Sequence, residues 1–152
     1  MEWLQVLLLS AVPLIELKGA IPLGINVYHI NPIAVFLLSF FGSLLPVPFV
    51  LICFNKIFIW LGKYKAFNGI YNLIDRKINK NKSKFEKFEE IALITFIAIP
   101  LPTTGVWTGT AIAAFLKLDF RRSVMCAVIG SFLCGLIVTG FSIAFPAFLN
   151  IL

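Results

Sequence analysis

Ile91-Ala-Leu-Ile-Thr-Phe-Ile-Ala-Ile-Pro100-Leu-Pro-Thr-Thr-Gly105-Val-Trp-Thr-Gly109-Thr-Ala-Ile-Ala-Ala-Phe-Leu116 holds no Lys, Arg, Asp or Glu. It is longer than the roughly 20 residues that cross a hydrocarbon core. Basic residues stand on both sides of it: nine of the 13 fall between Lys56 and Lys87, and Lys117, Arg121 and Arg122 follow. Cytoplasmic loops carry the excess of Lys and Arg, which puts 56–90 and 117–122 on the same, cytoplasmic side. A single traverse would separate them. Residues 91–116 are therefore predicted to form a re-entrant hairpin that enters from the cytoplasm and turns near Pro100 to Gly105. Arms of about ten residues reach roughly 15 Å, the depth of the midplane.

The rest of the 152-residue chain agrees with a bilayer setting. It is 60% hydrophobic and 13% charged, where soluble domains carry about a quarter charged residues. Gly19 to Asn55 and Ser123 to Leu152 are also free of charge. Residues 32–55 are predicted to span outward to inward and 123–148 inward to outward, within a single membrane domain, 1–152. That length leaves no room for a soluble catalytic domain, so neither enzymatic activity nor a cofactor is expected. Cys53, Cys126 and Cys134 lie in apolar runs without metal-site spacing and read as small apolar fillers, with no metal site. The chain starts Met1-Glu2-Trp3 and its first basic residue is Lys18, so the first apolar segment is expected to be retained and not cleaved as a signal.

Residues 3–28 share the character of 91–116, being apolar on both sides of Glu16-Leu17-Lys18-Gly19-Ala20-Ile21-Pro22-Leu23-Gly24. They read as a second hairpin entering from outside, or as an ordinary helix with a cytoplasmic N-terminus; charge does not choose. A repeat favours the hairpin. Gly19 precedes Gly42-Ser43-Leu44-Leu45 by 23 residues, and Gly105 precedes Gly130-Ser131-Phe132-Leu133 by 25. Repeat one (1–55) and repeat two (91–152) would run in opposite directions, an inverted architecture associated with secondary transporters. Between them, Phe67, Ile70, Tyr71, Ile74 and Ile78 recur at helical spacing beside Arg76, Lys77, Lys80, Lys82, Lys84 and Lys87. The 56–90 linker thus reads as a basic amphipathic helix on the anionic cytoplasmic leaflet, not a nucleic-acid site. Trp3, Tyr28, Trp60 and Tyr64 fit an interfacial belt.

Glu16 and Lys18 are the carboxylate and ammonium placed inside an apolar segment, a costly position that marks substrate or proton pathways. Burial disfavours the carboxylate and a nearby ammonium favours it, so a carboxyl between those influences can load and release a proton. Side chains two residues apart on a helix diverge by about 200°, so a direct pair needs non-helical backbone, which Gly19, Pro22 and Gly24 are expected to supply. The second break, at Pro100, Pro102, Thr103, Thr104, Gly105, Trp107, Thr108 and Gly109, frees backbone groups at depth and adds hydroxyls. A helix starting near Gly105 would aim its positive end at an anion, and Trp107 would pack the two hairpins together or face an amphipathic ligand, packing being favoured. Arg121 and Arg122 read as lipid-phosphate ligands or as topology anchors, and His29 as an exposed loop residue.

Pro13 to Gly24 together with Pro100 to Gly109 resemble the paired motifs of the prokaryotic small multi-drug export protein family, over almost the whole chain. That family is distantly similar to the DedA (VTT) membrane proteins. The resemblance implies two oppositely oriented re-entrant hairpins, proton-dependent transport or lipid-phosphate flipping, and Glu16, Gly19, Pro22, Pro100, Pro102, Gly105, Trp107 and Gly109 as motif positions. The second motif here lacks the Gly-Arg before its proline and the following Arg that DedA proteins show.

The expected fold is an all-α polytopic membrane protein: an inverted repeat of re-entrant hairpin plus transmembrane helix, with the basic interfacial helix between the repeats. The expected function is proton-coupled export of a small amphipathic or cationic compound across the cytoplasmic membrane. Glu16 is its ion carrier, beside Lys18. Gly19, Pro22, Pro100, Pro102, Thr103, Thr104, Gly105, Trp107, Thr108 and Gly109 are expected to bind the substrate, with the 100–109 hairpin as its gate. The alternatives are a flippase or scramblase of a phosphate-bearing lipid such as undecaprenyl phosphate, and a non-transporting assembly factor. Two spans and two hairpins wall a cavity thinly, which points to a homo-dimer. Gly42, Gly130, Gly135 and Gly140 offer small surfaces for close helix contact.

Overall fold

The computed structural model describes residues 1–61, 82–101 and 104–149, and every regular element in them is helical. Helix α1 (Glu2–Ala11) is followed by α2 (Glu16–Pro22), a π-helical turn (Leu23–Val27), α3 (Pro32–Leu44), α4 (Val47–Leu61), α5 (Lys82–Ala98), α6 (Val106–Phe115) and α7 (Phe120–Leu149). The interfacial helix predicted over 67–78, the basic residues Lys63 to Lys80, Tyr64, Pro102 and Thr103 lie outside the described residues.

Local chemistry sets the element ends. Asn31 caps α3 by accepting a hydrogen bond from the Ile33 amide at 2.9 Å, and Pro32 takes the first helical position, where a missing N–H costs nothing. Helices α3 and α4 form one apolar run, Pro32–Ile57, interrupted at Leu45–Pro46. Pro46 and Pro48 lack the donors that an unbroken helix needs there. The span expected to end at residue 55 continues as helix to Leu61. Pro32–Ile57 and Phe120–Phe145 are each long and apolar enough to cross a membrane. Their outward faces carry large apolar side chains, among them Ile33, Phe41, Phe49, Met125, Leu136 and Phe141, while the buried positions between helices include Ser10, Ser39, Ser43, Thr110, Ser123 and Ser131. Small polar residues inside and bulky apolar ones outside suit a lipid solvent.

The first break differs from expectation. It lies at Val12 to Ile15, before Glu16, and Gly19 and Pro22 sit within α2. The physical reason is Pro13. Val12 adopts the extended backbone (φ −77°, ψ 134°) that a residue before proline favours. Pro22, without an N–H, is instead absorbed where α2 passes into the π-helical turn. Helix α5 ends at Ala98 and α6 begins at Val106, so among the described residues the second break holds Ile99 to Leu101, Thr104 and Gly105, where Pro100 and Gly105 predict it.

Helix α1 packs on α3, and α5 packs on α7; α2 reaches across to α7, and α6 reaches across to α4. The apolar core divides in two. One cluster joins Val47 and Leu51 of α4 to Leu93, Ile97, Val106, Ala113, Cys126 and Ala127. The other joins Val6, Leu17, Ala20, Ile21, Ile30 and Val35 to Cys134 and Val138 of α7. Along the chain, the buried Ser39 and Ser43 of α3 and Ser131 of α7 fall between members of the two clusters. Cys126 and Cys134 are buried in these clusters as fillers, whereas Cys53 is exposed.

Of the four glycines expected at close contacts, three are used inside the chain. A Cβ on Gly42 would lie 2.0 Å from Ser10 Oγ, one on Gly130 would lie 2.7 Å from Ile97 Cβ, and one on Gly135 would lie 2.7 Å from the Phe36 ring. Gly140 faces open space. Trp3, Trp60 and His29 are exposed.

Candidate functional site

The two helix breaks meet, and each satisfies the other. At the first, Leu14 (φ 78°) and Glu16 (φ 47°) adopt left-handed backbone. Such conformations cost non-glycine residues about 1–3 kcal/mol and concentrate where function requires them. The Glu16 amide still donates to Val12 O at 3.0 Å, which anchors the turn. This non-helical entry lets Glu16 and Lys18 pair directly, with Lys18 Nζ 3.4 Å from Glu16 Oε2, although they are two residues apart. Glu16 is 4% exposed.

At the second break, Gly105 has φ 150°, a backbone that side chains rarely adopt. Its lack of a side chain is also a matter of space, since a Cβ there would lie 1.9 Å from Glu16 Oε2. The carboxylate uses that opening. Glu16 Oε1 accepts a hydrogen bond from the Trp107 amide at 3.0 Å, one of the orphan donors at the start of α6. The positive end of α6 therefore faces an anion, as its position predicted, and the anion is the protein's own Glu16.

Lys18 completes the exchange. Its ammonium donates to Leu101 O at 2.7 Å and to Thr104 O, carbonyls freed by the break after α5. Thr104 holds that loop by donating its hydroxyl to Ile99 O at 2.6 Å. Trp107 adds a third tie: its indole N–H donates to Ala11 O, the end of α1, at 3.1 Å. The packing role expected of Trp107 is thus joined by a hydrogen bond.

A groove of about 360 Å³ opens beside this clasp. Lys18, Pro22, Asn26 and Pro100 line one side, and Val138, Phe141, Ser142 and Phe145 of α7 line the other. Its character is apolar, with an ammonium, an amide and a hydroxyl in the wall.

Glu16, Lys18, Thr104, Gly105 and Trp107 are thus brought together, with Pro22 and Pro100 in the adjoining groove. Gly19 and Gly109 serve packing, against Ile15 and against Ile97 and Leu93. Thr108 donates back to Gly105 O at 3.3 Å. Arg121 is exposed, and Arg122 pairs with Glu90 at 3.3 Å and Asp119 at 3.6 Å, joining α7 to α5. Asn26 and Ser142 were missed in the sequence. Asn26 could have been noticed as an amide inside an apolar run; Ser142 resembles any helical serine. Among the described residues, no three His, Cys, Asp or Glu side chains form a metal-binding group.

A sequence profile of the family described as "Putative small multi-drug export protein" matches residues 16–137, from Glu16 through the second break and into α7. The chain belongs to that family, which makes it a membrane protein of the export type. No curated protein matches the chain. No solved structure matches it.

Proposed function

We propose that this member of the small multi-drug export family is a proton-coupled secondary transporter of the cytoplasmic membrane that exports a small amphipathic or cationic compound. The carrying observation is the buried Glu16 carboxylate, held by the first residues of α6 on one oxygen and by Lys18 on the other. Protonation at Oε2 removes the charge that both the ammonium and the helix start attract. Lys18 then keeps its two carbonyl partners, and the two breaks lose their strongest mutual tie. Deprotonation restores it. The groove holding Pro22, Pro100 and Asn26, with Phe141 and Phe145 at its wall, is the substrate site, and the 100–109 segment is its gate.

This reading takes the two broken segments as re-entrant hairpins of an inverted repeat, with 56–90 and 117–122 cytoplasmic. Three observations support it. Helices α1 and α6 have 10 residues each, about 15 Å, half a hydrocarbon core. The packing is exchange-symmetric, α1 on α3 as α5 on α7, and α2 across to α7 as α6 across to α4. Gly42 and Gly130, equivalent in the sequence repeat, both meet the preceding broken segment, at Leu7 and Ser10 and at Ile94 and Ile97. Gly140 is the open small surface for a homo-dimer.

The second reading, translocation of a phosphate-bearing lipid, is favoured by the groove's apolar wall and its ammonium. Against it, the start of α6 is filled by Glu16 and Arg122 is paired with carboxylates. Purified protein in proteoliposomes, assayed in parallel for dye efflux driven by a pH gradient and for labelled-lipid translocation, tests the proposal. Gradient-dependent efflux without lipid movement is expected. Lipid movement without efflux would replace the first reading with the second.

A further inference from the structure

Three oxygens surround the Lys18 ammonium: Leu101 O at 2.7 Å, Thr104 O, and Glu16 Oε2 at 3.4 Å. The two carbonyls belong to the break after α5, and Glu16 Oε2 is buried with no hydrogen bond of its own. Two carbonyls and a carboxylate oxygen turned toward one point select a cation that carries N–H donors. Lys18 supplies one, as an ammonium on a flexible four-carbon stem.

The same side chain also lines the groove of about 360 Å³. Lys18 therefore stands where the oxygen set and the groove adjoin, with 13% of its side chain exposed. The far wall of the groove is Val138, Phe141 and Phe145, and its other polar members are Asn26 and Ser142. A molecule seated there with its charged end on the three oxygens would lay its body on that apolar wall. An inorganic cation would leave the wall unused, and an anion would meet the Glu16 carboxylate. The Ser142 hydroxyl donates to Val138 O at 2.8 Å and keeps its lone pairs, so with the Asn26 amide it offers acceptors to a displaced ammonium.

We propose that the groove takes a protonated amine with an apolar body, and that Lys18 holds the place of that amine in the resting protein. The ligand's N–H donors replace those of Lys18 on Leu101 O, Thr104 O and Glu16 Oε2, and the Lys18 ammonium moves to Asn26 and Ser142. The inference rests on the reading of this groove as the transport site, and it names the chemistry of the substrate. A tethered ammonium competes at an effective concentration of roughly millimolar or above. It yields only to a cation that gains the apolar wall as well.

The test uses the full chain in mixed micelles and three probes of similar shape: phenethylammonium, 2-phenylethanol and phenethyltrimethylammonium, titrated calorimetrically. Phenethylammonium should bind. The alcohol, without charge, and the quaternary ion, without N–H, should each bind at least about tenfold more weakly, the effect of losing a hydrogen bond to a charged group. Lys18→Ala removes the competitor and should bind phenethylammonium about tenfold more tightly than the wild type. No binding to the wild type, preference for the quaternary ion, or equal or weaker binding to Lys18→Ala overturns the shared site. A second measurement needs no variant. Acylation of Lys18 by a succinimidyl ester, read by mass spectrometry against the exposed Lys56, should rise when the wild type is saturated with dimethyl(phenethyl)ammonium, which has an N–H but cannot be acylated. Unchanged acylation at saturation overturns the displacement of Lys18. Binding with the expected pattern but without pH-gradient-driven flux of the amine in proteoliposomes would overturn the transport reading and leave the amine site standing, so the two failures are distinguishable.

Discussion

Gly105→Ala places a Cβ 1.9 Å from Glu16 Oε2, 2.7 Å from its Cδ and 2.8 Å from Oε1. No rotamer of the carboxylate can stay in the opening, so it must leave the start of α6. The hydrogen bond from the Trp107 amide to a charged acceptor goes with it, about 1.5–3 kcal/mol. Backbone at φ 150° adds about 1–3 kcal/mol for alanine. Gly105→Ala alone should therefore destabilise by about 2.5–6 kcal/mol. In Glu16→Ala that hydrogen bond is already gone, so adding Gly105→Ala then costs only the backbone strain. The double-mutant cycle should show a coupling of about 2 kcal/mol. Reversible unfolding in mixed micelles, followed by tryptophan fluorescence, measures all four corners. Additive costs, with coupling under about 0.5 kcal/mol, would refute the placement of the carboxylate against Gly105.

Trp107→Phe keeps the ring and removes the donor to Ala11 O at 3.1 Å, and should cost about 1 kcal/mol in the same assay. Gly42→Ala and Gly130→Ala, whose Cβ atoms would lie 2.4 Å from Leu7 O and 3.1 Å from Ile94 O, should each cost about 1–3 kcal/mol. Gly140→Ala should stay within about 0.5 kcal/mol for the single chain, and any larger effect should appear in oligomer mass. Single cysteines at Lys80 and Phe120, in a background without the native three, should both react only with a cytoplasmic-side thiol reagent. Opposite-side labelling would remove the re-entrant reading of 91–116.

The second break could be read from residues because Pro100, Pro102 and Gly105 announce it together. The first was misplaced because the conspicuous Gly19 and Pro22 lie in helix, while its one sequence mark is Pro13 and its left-handed residues, Leu14 and Glu16, carry none. Glu16 and Lys18 stood out as charges in an apolar run. Their partners were hidden, since the Trp107 amide and the carbonyls of Leu101 and Thr104 come from the other end of the chain. The sequence repeat found Gly42 and Gly130, but contact within the chain and contact between chains look the same in a sequence.

Substitution of Glu16 tests the central claim most directly. Glu16→Gln keeps the size and the acceptor that faces Trp107 but can no longer release a proton. A proton carrier should lose pH-gradient-driven flux in proteoliposomes while the protein still inserts and remains monodisperse. Glu16→Asp should retain partial flux with a shifted pH optimum. Should the carboxylate serve only to balance Lys18, the Gln variant would instead be unstable and would be rescued by also changing Lys18→Met. Wild-type flux from a well-folded Glu16→Gln protein would contradict the account.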